Sequence, residues 1–423
     1  MTTASPAVPR LGRGACAAIF FGALALRLAV IAATGFSSVR FADAPSYLLG
    51  ARALAQTGRY PLRTDAYLFR PPGYALFLAA ATLGHPDAIP GAKVATAAAG
   101  ALGAVLVAAL SARIFRRRCL AIAAGALAAV HPALVLVSTD LQSEPLFVAL
   151  LLSAGYLLLA ATDRPSSNLA VLAGASLALA ALTRSSALAL TPLLLAPLWD
   201  RRYPRRANAH LAFSALLGFG LALLPWTLRN ALVFHELVLV NDGAGYVFYG
   251  RNADAALPLT QARDRVDLQR ATDALEATRT ALILALPAAV RNSPGELSRA
   301  LTRAALSERR ADPRGTVRLL AWKSWEWLRP YPDPRFWPLP AVIAVGASMT
   351  AVFVLAGIGL ARAPRTGVSA FCLVFLAATM IFHVAFETNW RYRTANWDPV
   401  LLLYASFGAA TLVAARGRKA GPA

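Results

Sequence analysis

The sequence predicts an all-α polytopic membrane protein with about ten transmembrane helices. Hydrophobic residues make up 57% of the 423 positions, and the mean hydropathy is +0.53, which is too apolar for a soluble globular chain of this length. Several apolar runs approach or exceed the roughly 18 residues that span a bilayer. Basic clusters lie between these runs, as they do in the cytoplasmic loops of membrane proteins.

About ten apolar segments are interpreted as spans. The first follows Arg10 and Arg13, and since no clear small-residue cleavage site comes after it, we expect an uncleaved span rather than a removed signal peptide. The run 71–84 is only about 14 residues long and predicts an interfacial or re-entrant helix. The predicted spans are 14–35, 92–115, 119–138, 145–162, 168–184, 185–199, 209–228, 338–361, 367–385 and 397–415.

Arginine and lysine clusters predict the orientation of the spans. If 71–84 does not cross, the clusters before the first span, after the second, fourth, sixth and eighth spans, and at the C-terminus all fall on one side. That side is predicted to be the cytoplasm, with both termini there. The loops 36–91, 139–144, 229–337 and 386–396 then lie on the outer, periplasmic face. Several arginines in the first of these loops run against the positive-inside bias, which suggests that they serve a function.

This topology divides the chain into three parts. We predict an N-terminal transmembrane module, 1–228, in which the first outer loop, 36–91, carries the catalytic groups and interfacial helices. A mostly helical periplasmic segment, 229–337, follows. The C-terminal transmembrane helices occupy 338–423.

Composition and motifs argue against other classes of function. The net charge of +21 would suggest nucleic-acid binding in a soluble protein, but here the basic residues cluster beside apolar segments as topology signals. No GxxxxGK[ST] phosphate loop occurs. The three cysteines lie in apolar segments without metal-ligand or disulfide spacing. We therefore expect no cofactor, no metal ion and no nucleic-acid partner.

The polar residues that could carry chemistry fall on the predicted outer face. A carboxylate can serve as a general base when it reaches a substrate hydroxyl, and guanidiniums bind phosphate oxygens while staying charged. A carboxylate and arginines beside a membrane therefore fit the attack of an alcohol on a donor linked to a lipid phosphate. The candidates are Asp43, Tyr47, Tyr67, Arg70 and Tyr74 in the first outer loop, Asp140 and Glu144 in the second, and Arg391, Tyr392 and Arg393 in the last.

Each of these candidates has a structural alternative. Asp43 could cap the helix that begins near Pro45, because Asp is favoured at the N-cap and Pro in the first turn. Arg70 could anchor the chain at the interface, and Glu144 could begin a helix at the membrane surface. The two arginines of the last outer loop could bind lipid headgroups.

Short motifs follow one another along most of the chain. They are Asp43-Ala-Pro-Ser-Tyr47, Phe69-Arg70-Pro-Pro-Gly-Tyr74, His131-Pro132, Ser143-Glu144-Pro-Leu-Phe147, Leu182-Thr183-Arg184, Pro225-Trp226 with Arg229-Asn230, Ala321-Trp322-Lys323 and Arg391-Tyr392-Arg393. In their order and spacing the chain resembles the GT-C superfamily of membrane glycosyltransferases, and within it the protein O-mannosyltransferase-like and lipid A aminoarabinose transferase-like bacterial enzymes. The resemblance implies a GT-C-type fold with interfacial helices in the first outer loop.

The resemblance also implies roles for individual residues. Asp43 matches the catalytic aspartate, and Arg70 matches a basic residue that binds the donor phosphate. We assign Arg391 and Arg393 to the same phosphate. Many relatives have a second acid where Ala44 stands, and a Leu-Pro-type turn where Thr394-Ala395-Asn396 stands. Positioning of donor or acceptor is assigned to Tyr47, Tyr67, Tyr74, Tyr392 and either Asp140 or Glu144.

The expected function is that of an inverting glycosyltransferase of the bacterial inner membrane, with its active site facing the periplasm. It would move a monosaccharide from a polyprenyl-phosphate-linked donor to a hydroxyl of a lipid, polysaccharide or protein during the biosynthesis of cell-envelope glycans. The alternative is a transporter or flippase for a polyprenyl-linked sugar, which predicts polar groups at mid-membrane depth. The sequence does not specify the sugar or the acceptor.

Overall fold

The computed structural model describes residues 9, 11–41, 43–60, 70–85, 88–200, 202–364 and 366–419, and every regular element in these ranges is helical. Two 3-10 helices, Ser185–Trp199 and Asp254–Thr260, interrupt a series of α-helices. The α-helices are α1 (Arg13–Thr34), α2 (Ala44–Thr57), α3 (Gly73–Ala81), α4 (Ile89–Phe115), α5 (Arg118–Val130), α6 (Pro132–Val137), α7 (Glu144–Asp163), α8 (Ser167–Thr183), α9 (Arg205–Phe234), α10 (Ala244–Asn252), α11 (Arg265–Ala285), α12 (Ala288–Asn292), α13 (Pro294–Ala311), α14 (Pro313–Leu328), α15 (Leu339–Arg362), α16 (Gly367–Ala385), α17 (Trp390–Asn396) and α18 (Asp398–Lys419).

Within the described ranges, 7 helices are long and apolar enough to cross a membrane, which confirms an all-α, multi-span protein. They are α1, α4, α7, α9, α15, α16 and the part of α18 up to Arg416. The other three predicted spans coincide with shorter apolar segments: α5 with α6, α8, and the first 3-10 helix. That 3-10 helix has 15 residues, and its rise of about 2.0 Å per residue gives a length of about 30 Å, similar to the hydrocarbon core.

The first predicted outer loop contains two short helices, as expected. α2 begins directly after Asp43, with Pro45 in its first turn. The predicted short helix at 71–84 is α3, which has 9 residues and is too short to cross. The segment 229–337 is also mostly helical, and three of its helices begin at side-chain caps, with Asp264 capping α11, Ser293 capping α13 and Asp312 capping α14.

The turn before α3 packs closely against the end of α8. A Cβ atom at Gly73 would lie 2.7 Å from the carbonyl carbon of Leu182 and 2.8 Å from the backbone nitrogen of Thr183. Only glycine allows this approach, because real Cβ contacts do not become so short. Arg70 lies just before this turn and Arg184 just after α8, and both act electrostatically on Asp43.

A buried arginine in the first span binds the short connection between helices α5 and α6. The side chain of Arg27 is 1% exposed. Its Nε donates to Ser138 Oγ at 2.7 Å, and its Nη1 donates to the carbonyls of Ala23 and Ala129 at 3.0 Å each. Pro132 begins α6 and lacks an N–H, so carbonyls at the end of α5 need other donors. Arg27 supplies one and also fixes Ser138, directly before the loop 139–144.

Candidate active site

The carboxylate of Asp43 lies between two guanidiniums. Arg70 Nη2 donates to Asp43 Oδ1, and Arg391 Nη2 donates to Asp43 Oδ2 at 2.9 Å. Asp43 occupies the N-cap position of α2, but its side chain makes no capping hydrogen bond. The carboxylate is therefore directed at the arginines rather than at the helix that it precedes.

The two arginines determine the protonation state of Asp43. Burial by itself would raise the pKa of this carboxyl, but the positive charges of Arg70 and Arg391 outweigh it and hold the pKa below its ordinary value. Asp43 is therefore ionised at neutral pH. An ionised carboxylate is the form that can accept a hydrogen bond or a proton from a hydroxyl.

A second carboxylate joins Arg391 to a third arginine. Glu144, the first residue of α7, has a side chain that is 1% exposed. Its Oε1 lies 3.1 Å from Arg184 Nη1 and 3.8 Å from Arg391 Nη1. Arg391 Nη1 also donates to Gln142 Oε1. The first outer loop, the loop 139–144, the end of α8 and the start of α17 thus meet in one charged cluster.

Asp140 has a different environment from Glu144. Its side chain is fully buried, Oδ2 accepts from the backbone N–H of Arg40 at 2.8 Å, and Oδ1 accepts from the N–H of Leu141 at 2.7 Å. These contacts attach the segment before α2 to the loop 139–144. Of the two acids left open by the sequence, Glu144 therefore touches the arginine cluster, whereas Asp140 holds the loops beneath it.

Two of the predicted tyrosines contact residues of the charged cluster or next to it, and a third is buried away from the cavity. Tyr47 donates to Ser143 Oγ at 3.1 Å, and Tyr392 donates to Glu387 Oε2 at 3.1 Å while its ring lies under the guanidinium of Arg184, 4.4 Å from it. Tyr74 is fully buried, and its hydroxyl pairs with Thr96 Oγ1 at 2.7 Å. Tyr67 lies outside the described residues.

Arg393 lies away from Asp43. Its side chain is 2% exposed, its Nε is 3.2 Å from Asp398 Oδ1, and its Nη1 donates to the carbonyl of Arg329. Of the two arginines predicted in the last outer loop, Arg391 contacts the cluster and Arg393 binds these other groups. Two residues along a helix point about 200° apart around its axis, so the two side chains leave α17 in nearly opposite directions.

A cavity of about 500 Å³ opens beside the cluster. Residues 237–244 and residues between Pro294 and Arg299 line it. Asp43 is not among the lining residues, but its partner Arg70 is, with a side chain that is 36% exposed. The cavity is also lined by Tyr47, Ser143, Arg184, Glu387 and Tyr392.

Sequence reasoning assigned no role to Arg184 or Gln142. Arg184 lines the cavity, donates to Ser143 Oγ at 3.1 Å and pairs with Glu144. The sequence did contain a signal for Arg184. The spans 168–184 and 185–199 are joined by a very tight turn, and the predicted topology places that turn, with Arg184, on the outer face. Gln142 had no comparable signal, since a neutral amide in a loop is common.

The charged groups of the site are arginines and carboxylates rather than a metal-ligand cluster. Within the part of the chain that the structure describes, no group of three or more His, Cys, Asp or Glu side chains lies close enough together to hold a metal ion. Separately, an apolar cavity of about 90 Å³ lies between α7, α16, α18 and the 3-10 helix Ser185–Trp199.

Part of the chain matches a protein family, and nearly the whole chain is similar in fold to solved structures. Residues 70–227 match the dolichyl-phosphate-mannose-protein mannosyltransferase family. A search of curated proteins finds no match. Two structures of oligosaccharyltransferases from Archaeoglobus fulgidus, the first of them AglB, are similar in fold. One, with an inhibitory peptide and dolichol-phosphate, has a TM-score of 0.55 at 13% identity over 96% of this chain. The other, with Zn and sulfate, has a TM-score of 0.57 at 14% identity over 95%.

The matched structures differ in the share of their own length that aligns with this chain. The chain spans about half the length of the archaeal enzymes, 52% and 49%. ArnT from Cupriavidus metallidurans bound to undecaprenyl phosphate aligns over 92% of this chain and 78% of its own at 16% identity, with a TM-score of only 0.37. The chain therefore shares the fold of these archaeal oligosaccharyltransferases, and the family match is confined to residues 70–227.

Proposed function

We propose that the protein is an inverting glycosyltransferase that moves a monosaccharide from a polyprenyl-phosphate-linked donor to an acceptor hydroxyl. The observation that carries this proposal is the ionised carboxylate of Asp43, held between Arg70 and Arg391 at the edge of a cavity. The matched family is described by a dolichyl-phosphate sugar donor, and one AglB structure contains dolichol-phosphate. Both support a lipid-phosphate donor here.

The charge of the cluster supports an anionic donor. Arg70, Arg184 and Arg391 pair with the carboxylates Asp43 and Glu144. A third carboxylate, Glu387, lines the cavity and pairs with a fourth arginine, Arg251. Within these ion pairs the arginines outnumber the carboxylates by one. A sugar phosphodiester carries one negative charge and would neutralise this excess, with charge-assisted bonds worth about 1.5–3 kcal/mol each.

The reaction follows from this arrangement. The donor phosphate, entering the cavity, draws Arg70 away from Asp43 Oδ1, while Arg391 keeps Oδ2. The freed oxygen accepts the proton of the acceptor hydroxyl as its oxygen attacks the anomeric carbon from the face opposite the phosphate. The bond from that carbon to the phosphate oxygen breaks, its electron pair stays on the phosphate, and the arginines stabilise the added charge. Attack from the opposite face inverts the anomeric centre.

The lipid and the acceptor enter from different sides in this proposal. The polyprenyl tail lies among the spans, where the apolar cavity between α7, α16 and α18 offers a compatible surface. The acceptor is a lipid, polysaccharide or protein that approaches the part of the cavity lined by 237–244. We place the site on the periplasmic face of the bacterial inner membrane, with both termini in the cytoplasm, because basic clusters follow the opposite ends of the spans.

Donor consumption tests this function. Purified protein is incubated with a panel of radiolabelled polyprenyl-phosphate sugars and mixed acceptors, and release of polyprenyl phosphate is followed for wild type, Asp43→Asn and Asp273→Asn. Asp273, exposed on α11, provides the same chemical change away from the site. We expect release by wild type and by Asp273→Asn, and a loss of at least about 100-fold in Asp43→Asn.

Two outcomes would contradict the proposal. Full release in Asp43→Asn would remove Asp43 from the reaction. Absence of release with every donor, together with transfer of labelled lipid across a proteoliposome bilayer, would indicate a flippase instead.

A further inference from the structure

A buried lysine connects the segment 229–337 to the end of α16. Lys323, on α14, has a side chain that is 0% exposed. Its Nζ donates to Asn252 Oδ1 at 2.8 Å and to the carbonyls of Phe386 and Ala385 at 3.3 Å and 3.4 Å. These three acceptors match the three N–H donors of a charged lysine.

The C-terminal end of α16 is a favourable place for this ammonium. The last carbonyls of a helix have no partner within the helix and carry partial negative charge. Asn252, the last residue of α10, adds a further bond, because its Nδ2 donates to the carbonyl of Phe386 at 3.0 Å. Three helices, α10, α14 and α16, therefore meet at Lys323.

The turn after α16 leads into the candidate active site. Glu387 accepts from Arg251 Nε at 3.3 Å and from the hydroxyl of Tyr392 at 3.1 Å. α17 follows immediately, and from it Arg391 reaches the carboxylate of the site. The direction of Arg391 therefore depends on how residues 385–389 are held.

We propose that Lys323 is a positioning residue for Arg391: its ammonium, bound to the last carbonyls of α16, fixes the turn from which that arginine reaches the site. Lys323 does not contact Asp43 and does not itself line the cavity, so it acts through the turn that holds Phe386 and Glu387. The inference goes beyond the proposed function by linking the segment 229–337 to the site, and only the activity measurement below rests on that function.

The same contacts make this link sensitive to pH. Burial lowers the pKa of Lys323 to about 7; Arg251 on α10 and Arg309 on α13 also lower it, while Glu387 in the turn opposes them. Below about pH 7 the charged lysine has three donors for three acceptors. Above that pH the neutral amine has two donors and turns a lone pair toward an oxygen. The turn is held most firmly below about pH 7 and loosens as the pH rises.

Hydrogen exchange of the full-length protein tests the link without any substrate. We expect peptides that cover 386–397 to exchange faster in Lys323→Met than in wild type. In wild type, protection of these peptides, corrected for the intrinsic exchange rate, should fall with a midpoint near pH 7. Lys323→Arg stays charged and should lose this pH dependence. Lys93→Met, which removes a second buried lysine, should leave exchange in 386–397 unchanged.

The pH dependence of hydrogen exchange in wild type tests the role of Lys323 even if Lys323→Met does not fold. Protection of 386–397 that is constant between about pH 6 and pH 8.5 would overturn the pH dependence and, with it, the role of the charged lysine. Equal exchange of these peptides in folded Lys323→Met and wild type would overturn the positioning role directly.

A double-mutant cycle then asks whether Lys323 acts through Arg391. If it does, Lys323→Met should lower kcat by roughly 10-fold in wild type and far less in the Arg391→Gln background. Additive losses would mean that Lys323 acts elsewhere. If wild type transfers no sugar from any donor, the proposed function fails, whereas the exchange experiment still decides the link.

Discussion

Arg391 Nη2 donates to Asp43 Oδ2 at 2.9 Å, although the two residues are 348 positions apart in the chain. One belongs to a helix between the last two spans and the other precedes the first helix after the first span. Arg70, only 27 positions from Asp43, binds the other carboxylate oxygen. Together the two arginines hold the pKa of Asp43 below its ordinary value, and each can be removed separately.

Replacement of Arg70 should change the pH dependence of transfer. Arg70 is the first of the charges that counter the effect of burial on Asp43 and hold its pKa below the ordinary value. In Arg70→Gln the pKa of Asp43 should therefore rise, and the acid side of the kcat/KM profile should move to higher pH. Loss of one charge-assisted bond to the phosphate should also lower kcat/KM by roughly 10- to 100-fold. Profiles from about pH 4 to pH 8 measure both effects.

The control for this measurement is Arg303→Gln, an exposed arginine on α13. It should leave the profile unchanged. An acid limb at the same pH in wild type and Arg70→Gln would show that Arg70 does not determine the protonation of Asp43.

Arg184 should tolerate lysine poorly. Its guanidinium donates to Ser143, pairs with Glu144 and stacks on Tyr392 at the same time. Lysine keeps the charge but lacks the planar fork that serves all three. We expect Arg184→Lys to bind a short polyprenyl phosphate roughly 10-fold more weakly, as measured by isothermal titration. Affinity equal to that of wild type would remove Arg184 from the phosphate site.

Glu144 and Asp140 should respond differently to neutralisation. Glu144→Gln removes the negative charge between Arg184 and Arg391, so polyprenyl phosphate should bind at least as tightly and leave more slowly. We expect both kcat and KM to fall. Weaker binding of polyprenyl phosphate in Glu144→Gln would contradict the charge argument.

Asp140→Asn should act on stability. Both oxygens of Asp140 accept from backbone N–H groups in a fully buried position, and an asparagine would direct an NH2 at one of those donors. The unsatisfied pair should cost about 1–3 kcal/mol. Thermal unfolding in detergent should show a lower Tm than in Asp273→Asn. An unchanged Tm with reduced transfer would instead place Asp140 in the chemistry.

Close packing of α15 against α18 should depend on two glycines. A Cβ atom at Gly359 would lie 2.0 Å from the carbonyl oxygen of Tyr404, and one at Gly408 would lie 2.0 Å from that of Leu355. Small residues allow helix backbones to approach closely in membranes. We expect Gly359→Ala to lower the Tm and the yield of folded protein.

Gly357→Ala is the matched control on the same helix, because a Cβ atom there meets nothing within 4 Å. Alanine should be neutral or stabilising at that position, by up to about 1 kcal/mol. Equal Tm values for Gly359→Ala and Gly357→Ala would show that α15 and α18 can separate without cost.

The sequence by itself determined the helical, multi-span architecture and the short helices around Pro45 and Tyr74. Both follow from local properties, namely the length of apolar runs and the residues that begin and end helices. It also placed Asp43, Arg70 and Arg391 on one predicted face, because span parity and basic clusters are read along the chain. The all-α, multi-span fold implied by the order of the motifs was confirmed by the likeness in fold to the archaeal oligosaccharyltransferases.

Only the tertiary structure decided which of these side chains meet. In the structure Arg391, but not Arg393, contacts Asp43. Glu144 rather than Asp140 pairs with the arginines of the cluster, and Arg184 is one of them. Spacing along the sequence cannot supply these distinctions. The direction of a side chain depends on the rotation of its helix and on the packing of helices that are hundreds of residues apart.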